Sequence, residues 1–242
     1  DRRGQLAIDI LKDYGIDTEL IQILSGAPTG TVKIELDAFG KPAFTIQSNS
    51  AWDNVVWNSG LAERIPKADA VYFGTLGQRQ EPARSAIHEA IDAAAKSNVP
   101  RIVDINLRAP FFDNETIAQS IMRANLLKLS DEELPHVCKA FNITLEKSAE
   151  ASLRRIKSIA DLEGIVMTCG AQGAMLVNAN GITNQPGFPT EVKDTVGAGD
   201  SFAAAFLMGW LQGEPDDQIL HRACAVAATT CSHWGAVPTL PD

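Results

Sequence analysis

The sequence has few cysteines and a shortage of basic residues, and each scarcity argues against a class of protein. Its 242 residues include four cysteines, with no CxxC pair and no Cys/His spacing typical of a metal site. This pattern indicates buried thiols in a reducing compartment rather than a disulfide framework. Lysine and arginine number 21 against 30 aspartates and glutamates, a net charge of −9 that disfavours binding to nucleic acid.

Long apolar runs are also lacking. No run approaches the roughly 18 apolar residues of a membrane-spanning helix, and the first residues lack the apolar stretch of a secretory signal. The sequence therefore predicts a cytoplasmic protein with no membrane partner. Because 45% of the residues are hydrophobic, the chain has enough apolar material for a large core.

The first 50 residues differ in pattern from the rest of the chain. Apolar residues recur at helical spacing over 6–14, which predicts an amphipathic helix almost from residue 1. Residues 31–36 alternate between apolar and polar, 37–40 resemble a turn and 42–47 return, so a β-hairpin is expected. Because an isolated hairpin is marginally stable, we expect the segment at about 29–50 to cover a pocket as a lid. The lid could also pair with that of a second copy, giving a homodimer.

From residue 69 onward, strand patterns alternate with helix patterns. Strands are predicted at 70–74, 101–105, 126–129, 165–168 and 174–177. Helices are predicted at 82–97, 115–124, 131–141, 198–211 and 216–232. This alternation is typical of a mostly parallel sheet covered by helices on both faces. No linker or internal repeat is visible, so a single α/β domain over 1–242 is expected.

The strongest local signal is the segment DTVGAGDSFAAAFL at 194–207. Gly197, Ala198 and Gly199 let the backbone approach a ligand closely, and N–H groups at a helix start bind anions. Asp200 follows in the first turn, where a carboxylate is stabilised and could accept a proton from an attacking hydroxyl. The pattern favours phosphoryl transfer, although an ordinary loop–helix junction would have the same spacing. No GxxxxGK[ST] motif occurs, so a P-loop is excluded.

This segment resembles the C-terminal signature of the PfkB carbohydrate kinases, a ribokinase-like family. Three further motifs resemble that family: DINLRAP at 104–110, KLSDEEL at 128–134 and TCGAQG at 168–173. The resemblance implies a ribokinase-like three-layer α/β/α sandwich with a mostly parallel central sheet and a small β lid. The family begins with a strand and a substrate-binding segment that have no counterpart here, so the first strand of the sheet is expected to be missing.

The closing segment GAVPTLP at 235–241 fits the family's tail, and two shorter segments narrow the resemblance. These are PTGT at 28–31 and AWDN at 51–54, which resemble the fructokinase branch.

The resemblance assigns the catalytic residues. It implies that Asp200 is the base, and that the N–H groups of Gly197, Ala198 and Gly199 form the anion hole for the transferred phosphoryl group.

The resemblance also assigns the nucleotide contacts. It implies that ATP is contacted by Thr168, Gly170, Gly173 and Ser130. A strand end and its turn would explain Thr168 and Gly170 equally well.

The resemblance also assigns residues that contact metal ions and the sugar. The resemblance implies that Glu133 holds Mg²⁺ through water, and that Asp194 with the Val196 carbonyl joins a monovalent-cation (K⁺) site. It implies sugar contacts for Arg108 and Asn106. Two of these residues have structural alternatives: Glu133 could close a capping box, and Arg108 could cap a sheet edge or pair with an aspartate.

The sequence therefore predicts an ATP-dependent sugar kinase, closest to a fructokinase, in which the sugar hydroxyl attacks the γ-phosphate as Asp200 takes its proton. One alternative is a kinase of the same fold for another acceptor, such as 2-keto-3-deoxygluconate or a nucleoside. The other is a nucleotide- or sugar-binding homologue without catalysis.

Overall fold

In a computed structural model, which describes residues 1–36, 42–146 and 148–239, helices and strands alternate along most of the chain. The α-helices are α1 (Arg2–Asp13), α2 (Ser59–Arg64), α3 (Ala83–Lys96), α4 (Asn114–Met122), α5 (Leu134–Ala140), α6 (Ala149–Ala160), α7 (Ala198–Leu211) and α8 (Asp216–Cys231). The strands are β1 (Val32–Leu36), β2 (Pro42–Ile46), β3 (Val71–Gly74), β4 (Arg101–Asp104), β5 (Leu126–Ser130), β6 (Gly164–Thr168), β7 (Ala174–Asn178) and β8 (Gly181–Gln185). No helix among these residues is long and apolar enough to span a membrane.

Most elements after residue 69 lie where the sequence pattern predicts them, and the predicted 198–211 helix matches α7 at both ends. The helix predicted at 131–141 begins later, at Leu134, because a turn precedes it. In that turn the Glu133 N–H donates to the Ser130 carbonyl at 3.1 Å. The sequence reasoning omitted α6 and β8 altogether.

The main sheet has the strand order β3-β4-β5-β6-β7-β8. The pairs β4–β5 and β5–β6 are parallel, whereas β7 is antiparallel to both β6 and β8. The predicted α/β class is confirmed, with a mixed sheet. The antiparallel part arises because only a short turn at Gly170–Gln172 joins β6 to β7, and a parallel connection needs a crossover of a dozen or more residues.

The chain divides into two compact units. The first comprises Asp1–Val71 and Leu76–Val99, and the second comprises Tyr72–Thr75 and Pro100–Asp242. The core of the second unit contains fully buried apolar side chains from strands and helices, including Ile102, Leu126, Leu127, Leu129, Ile117, Ile121, Leu153, Ile156, Ile165 and Phe206. Within it, α8 packs against α7, β7 and β8. The expected single domain over 1–242 stays a prediction.

The first unit contains the predicted hairpin. β1 and β2 form a two-stranded antiparallel sheet in which Val32 pairs with Ile46 and Leu36 with Pro42. The turn predicted at 37–40 lies outside the described residues. The hairpin is confirmed, whereas its action as a lid and its pairing with a second copy stay predictions.

A buried ion pair stabilises the first unit. Arg79 Nε lies 2.7 Å from Asp53 Oδ1, and both side chains are 2% exposed. The Arg79 guanidinium also stacks over the Trp52 ring at 4.2 Å. Burial by itself raises the pKa of Asp53, but hydrogen bonds from Arg79 and from the Ser50 N–H outweigh it, so the pKa is lowered.

Replacing Asp53 with asparagine should therefore reduce the free energy of unfolding. We expect a loss of about 1.5–3 kcal/mol at pH 7, because the substitution removes charged hydrogen bonds from a buried guanidinium. Urea unfolding of the variant and of wild type measures this change in the free energy of unfolding. Since the folded-state pKa is lowered, the stabilisation is present above the unfolded pKa of about 3.9 and is lost as the pH falls through the folded pKa.

Asp17→Asn provides the control, because Asp17 forms an exposed ion pair with Arg64 in the same unit. It should change the free energy of unfolding much less, since exposed pairs contribute little. Equal losses for Asp53→Asn and Asp17→Asn would show that the buried pair is not a special source of stability.

Candidate active site

The Asp194 side chain braces the loop before α7. Asp194 accepts hydrogen bonds from the Val196 N–H at 3.0 Å and the Gly235 N–H at 3.1 Å, which lower its pKa. Gly197 has φ +82°, and a Cβ on it would overlap the carbonyl oxygen of Ala236. Only glycine fits this position without strain. Both oxygens of Asp194 brace this loop, and a K⁺ ion beside Asp194 stays a prediction.

The first turn of α7 leaves backbone N–H groups without helical partners. The Ala198 N–H donates to the Thr195 carbonyl at 3.3 Å, and the Ser201 N–H donates to the Gly197 carbonyl at 2.8 Å. Between them, the Gly199 N–H has no backbone acceptor within the described residues. Such N–H groups, together with the positive end of the helix dipole, are suited to binding an anion.

Asp200 lies in this first turn and is exposed. Among the residues that the structure describes, its carboxylate has no hydrogen-bond partner. It therefore caps nothing and braces no loop. A carboxylate that is exposed beside an anion-binding turn is placed to accept a proton from a ligand.

A cluster of three polar side chains lies on β3, β4 and β5. Lys128 Nζ lies 2.6 Å from Asp104 Oδ2, and the Tyr72 hydroxyl donates to the same oxygen at 2.7 Å. Both Lys128 and Asp104 are buried, and Asp104 Oδ1 has no hydrogen-bond partner within the described residues. Desolvation of the Tyr72 hydroxyl and the Asp104 charge raise the pKa of Tyr72 far above its ordinary value, although its ring is 46% exposed. Tyr72 is thus a fixed hydrogen-bond donor.

This cluster adjoins the start of α7. A Cβ built on Gly199 would lie 3.9 Å from Lys128 Nζ. The charge of Asp200 contributes to the raised pKa of Tyr72, so Asp200 lies near the tyrosine as well. The structure therefore adds a buried cation to the anion-binding turn that the sequence predicts.

Sequence reasoning missed Lys128 as a functional residue, although a signal was available. The lysine is the one charged residue of an otherwise apolar strand, LLKLS at 126–130. It pairs in register with Asp104 at the end of the neighbouring parallel strand. A lysine in a buried strand needs a partner, and an acid at the end of the preceding strand is the natural candidate.

The predicted nucleotide residues Thr168, Gly170 and Gly173 come together at the turn between β6 and β7. The Cys169 N–H donates to the Gly173 carbonyl at 2.8 Å, which closes the turn. Gly173 has φ +99°, and a Cβ there would overlap the Gln185 carbonyl oxygen. The three residues line a cavity of about 550 Å³ that Ala198 and Gly199 also line. A cavity of this size lies within the range of small-molecule sites.

Ser130 and Glu133 lie next to this turn, but Glu133 is engaged with the backbone. One carboxylate oxygen accepts from the Ser130 N–H at 2.8 Å and the other from the Leu107 N–H at 2.6 Å. The first bond is the one that a capping box would make, although α5 itself starts at Leu134. The second bond joins the end of β5 to the loop after β4.

That loop contains the predicted sugar contacts Asn106 and Arg108. Asn106 has φ +41°, and Arg108 is exposed and donates to the Leu107 carbonyl at 3.0 Å. Neither residue is among those that line the cavity. Their contact with a sugar therefore stays a prediction.

In the part of the chain that the structure describes, the acidic residues form no closed metal cage. Within 1–36, 42–146 and 148–239, no group of three or more His, Cys, Asp or Glu side chains could hold a metal ion. Mg²⁺ usually keeps several waters and binds through one or two carboxylates together with substrate phosphates. Both carboxylate oxygens of Glu133 accept from N–H groups but keep further lone pairs. Glu133 is therefore suited to contact Mg²⁺ through a water molecule, and not to form part of a dedicated cage.

Two known proteins are similar to the chain over its whole length. Fructokinase from Solanum tuberosum is 27% identical over 249 residues, which cover 100% of this chain and 75% of that protein. Aminoimidazole riboside kinase from Salmonella typhimurium is 26% identical over 253 residues, covering 100% of this chain and 76% of that protein.

A solved structure shares the fold. The putative ribokinase II from E. coli, in complex with ATP and Mg²⁺, is 18% identical and superimposes with a TM-score of 0.82, covering 98% of this chain and 75% of that one. The implied ribokinase-like fold is thus confirmed. The pfkB family of carbohydrate kinases matches residues 1–242, and the chain therefore belongs to that family.

Proposed function

We propose that the protein is an ATP-dependent kinase that phosphorylates a hydroxyl group of a sugar, with fructose as the acceptor. The observation that carries the proposal is the first turn of α7, where the exposed carboxylate of Asp200 directly follows Gly199, and a Cβ built on Gly199 would lie 3.9 Å from Lys128 Nζ. A base, an anion-binding N–H group and a cation are the parts that phosphoryl transfer requires. The fructokinases among the relatives support fructose.

The reaction follows from these positions. The acceptor hydroxyl attacks the γ-phosphorus of ATP, and Asp200 takes the hydroxyl proton as the new oxygen–phosphorus bond forms. The bond from the γ-phosphorus to the bridging oxygen breaks, and ADP leaves with the electron pair. In this proposal the Gly199 N–H and Lys128, which lie close together, bind negative charge on the transferred group.

The proposed reaction includes Mg²⁺ as the metal ion that accompanies ATP. When bound with ATP, it would neutralise phosphate charge and orient the terminal phosphate. Glu133 is the residue of this chain that we propose holds it, through water. The E. coli putative ribokinase II, which shares the fold, was solved in complex with ATP and Mg²⁺, and this supports the use of both ligands.

The acceptor has a second candidate. Aminoimidazole riboside kinase is about as similar to this chain as the fructokinase, so a riboside is a specific alternative to fructose. An assay of ADP release with a panel of acceptors distinguishes the two candidates. The assay uses the full-length protein, and the panel comprises fructose, ribose, 2-keto-3-deoxygluconate, aminoimidazole riboside and inosine. We expect the highest kcat/KM with fructose. A preference for a riboside would replace the proposed acceptor, and no turnover with any acceptor would favour the non-catalytic alternative.

Glu133→Gln tests the metal assignment. We expect a lower kcat and a shift of the activity curve to higher Mg²⁺ concentration, because the amide is a poorer partner for metal-bound water. The measurement is kcat at graded Mg²⁺ concentrations, together with thermal unfolding. An unchanged Mg²⁺ curve with a stability loss of about 1 kcal/mol would mean that Glu133 is only a capping residue.

A further inference from the structure

Helix α8 forms one wall of the cavity of about 550 Å³, and this wall is uncharged. Four α8 residues line it: Cys224, Ala227, Ala228 and Cys231. They lie inside a regular helix, so their backbone groups are largely engaged, and the Cys231 carbonyl also accepts from the Lys193 N–H at 2.9 Å. Burial raises the pKa of Cys224 to about 11, so its thiol is neutral at pH 7. This wall offers methyl and thiol groups, and no charge.

The loop after β8 forms another part of the cavity lining, and its side chains are also largely apolar. Phe188, Pro189 and Val192 contribute apolar surface, and Pro189 has no N–H to donate. The hydroxyl of Thr190 is engaged, because it donates to the Phe188 carbonyl at 3.0 Å. Among the described residues that line the cavity, none has a carboxylate, amide, guanidinium, ammonium or imidazole side chain.

Purine bases differ at the groups that such side chains would recognise. Adenine has an amino donor at C6 and an acceptor at N1, whereas guanine and hypoxanthine have a C6 carbonyl acceptor and an N1–H donor. A site that hydrogen-bonds a substrate group rejects the analogue lacking it by about 10⁴–10⁵-fold, but an apolar pocket discriminates only by about 10–200-fold. The threonine hydroxyls and cysteine thiols of this cavity can each donate or accept, so among the described lining residues no side chain is fixed to choose between the bases.

We propose that this cavity receives the base of the phosphoryl donor without discriminating between purines, so that the protein uses GTP and ITP as well as ATP. The inference rests on the proposed function, because it takes the phosphate end of the donor to lie at Ala198 and Gly199 in the same cavity. The enzyme would then recognise its acceptor and the triphosphate of the donor, and would not select the donor by its base.

Binding of nucleoside diphosphates tests the inference apart from catalysis. Calorimetric titration of the full-length protein with ADP, GDP and IDP should give Kd values within about tenfold of one another, and kcat/KM for ATP, GTP and ITP should agree as closely. Tight binding of ADP with GDP and IDP weaker by 10³-fold or more would overturn the inference and leave the proposed kinase intact. If none of the three bound, both the inference and the proposed function would be overturned.

A designed variant makes the test sharper. Ala228→Asn adds an amide to the α8 wall, and we expect it to create a purine preference, changing the ADP-to-GDP Kd ratio by more than tenfold. Ala225→Asn is the matched control, because Ala225 lies on the same helix and is not among the lining residues. It should leave the ratio unchanged. If Ala228→Asn folds and the ratio does not change, the base does not lie against this wall and the inference is wrong.

Discussion

Replacing Asp200 with asparagine is expected to lower kcat by about 10²–10⁴-fold, the usual loss when a general base is removed. Asparagine has nearly the same shape but cannot take the proton of the acceptor hydroxyl. The fold should persist, because the carboxylate has no hydrogen-bond partner within the described residues and its charge at the helix start contributes only about 0.3–1 kcal/mol. ATP affinity should stay the same or rise, since a negative charge beside the γ-phosphate is removed.

The measurements are kcat by ADP release, Kd for ATP by calorimetry and thermal unfolding, all in the full-length protein. Asp217→Asn is the matched control, because Asp217 also lies in the first turn of a helix, α8. It should lose the same small amount of stability and no activity. A kcat for Asp200→Asn above about one tenth of wild type would make Asp200 a structural acid of the helix start and refute the mechanism.

Removing the charge of Lys128 should have the second largest effect. Lys128→Met is expected to lower kcat/KM for ATP by about 10²–10³-fold, the loss typical of one group that stabilises developing charge in a transition state. The substitution also leaves Asp104 buried without its cation, which destabilises the fold by about 3–5 kcal/mol. Activity alone would therefore not distinguish a catalytic cation from a structural one.

A double-mutant cycle with Asp104→Asn separates the two roles. The double variant Lys128→Met/Asp104→Asn has no buried unpaired charge, so its stability should recover relative to Lys128→Met. If Lys128 acts on the phosphate, kcat/KM stays low in the double variant while Asp104→Asn alone retains most activity. Recovery of activity together with stability in the double variant would show that the lysine is only the partner of Asp104.

Much of this fold could be predicted because its signals are local. The α7 segment has small residues, an acid and then an apolar helix, and its predicted bounds match those observed. The β8 segment, GITNQ, has neither alternation nor an apolar run, so its pairing with β7 depends on tertiary context. Leu153 and Ile156 of α6 have helical spacing, so the apolar pattern of this helix is sufficient to predict it.

The candidate site also has a part that local sequence predicts and a part that depends on tertiary contacts. The Gly197 turn and Asp200 are adjacent in sequence, so a motif is enough to join them. The approach of Lys128 to Gly199 links residues about 70 positions apart, and only the strand register and the packing of the second unit bring them together. The bond between Glu133 and the Leu107 N–H is equally non-local, so no spacing rule could foretell how the carboxylate is engaged.

If the protein acts as proposed, the α7 turn transfers the terminal phosphate of a nucleotide to a sugar hydroxyl. Phosphorus NMR of the full-length protein mixed with ATP, Mg²⁺ and fructose tests it most directly. We expect a sugar phosphate resonance to grow in one-to-one proportion with ADP, and both to be suppressed at least a hundredfold in rate by Asp200→Asn. Nucleotide binding without any phosphorylated product from fructose or the other acceptors of the panel, or ADP formed with free phosphate alone, would contradict the account.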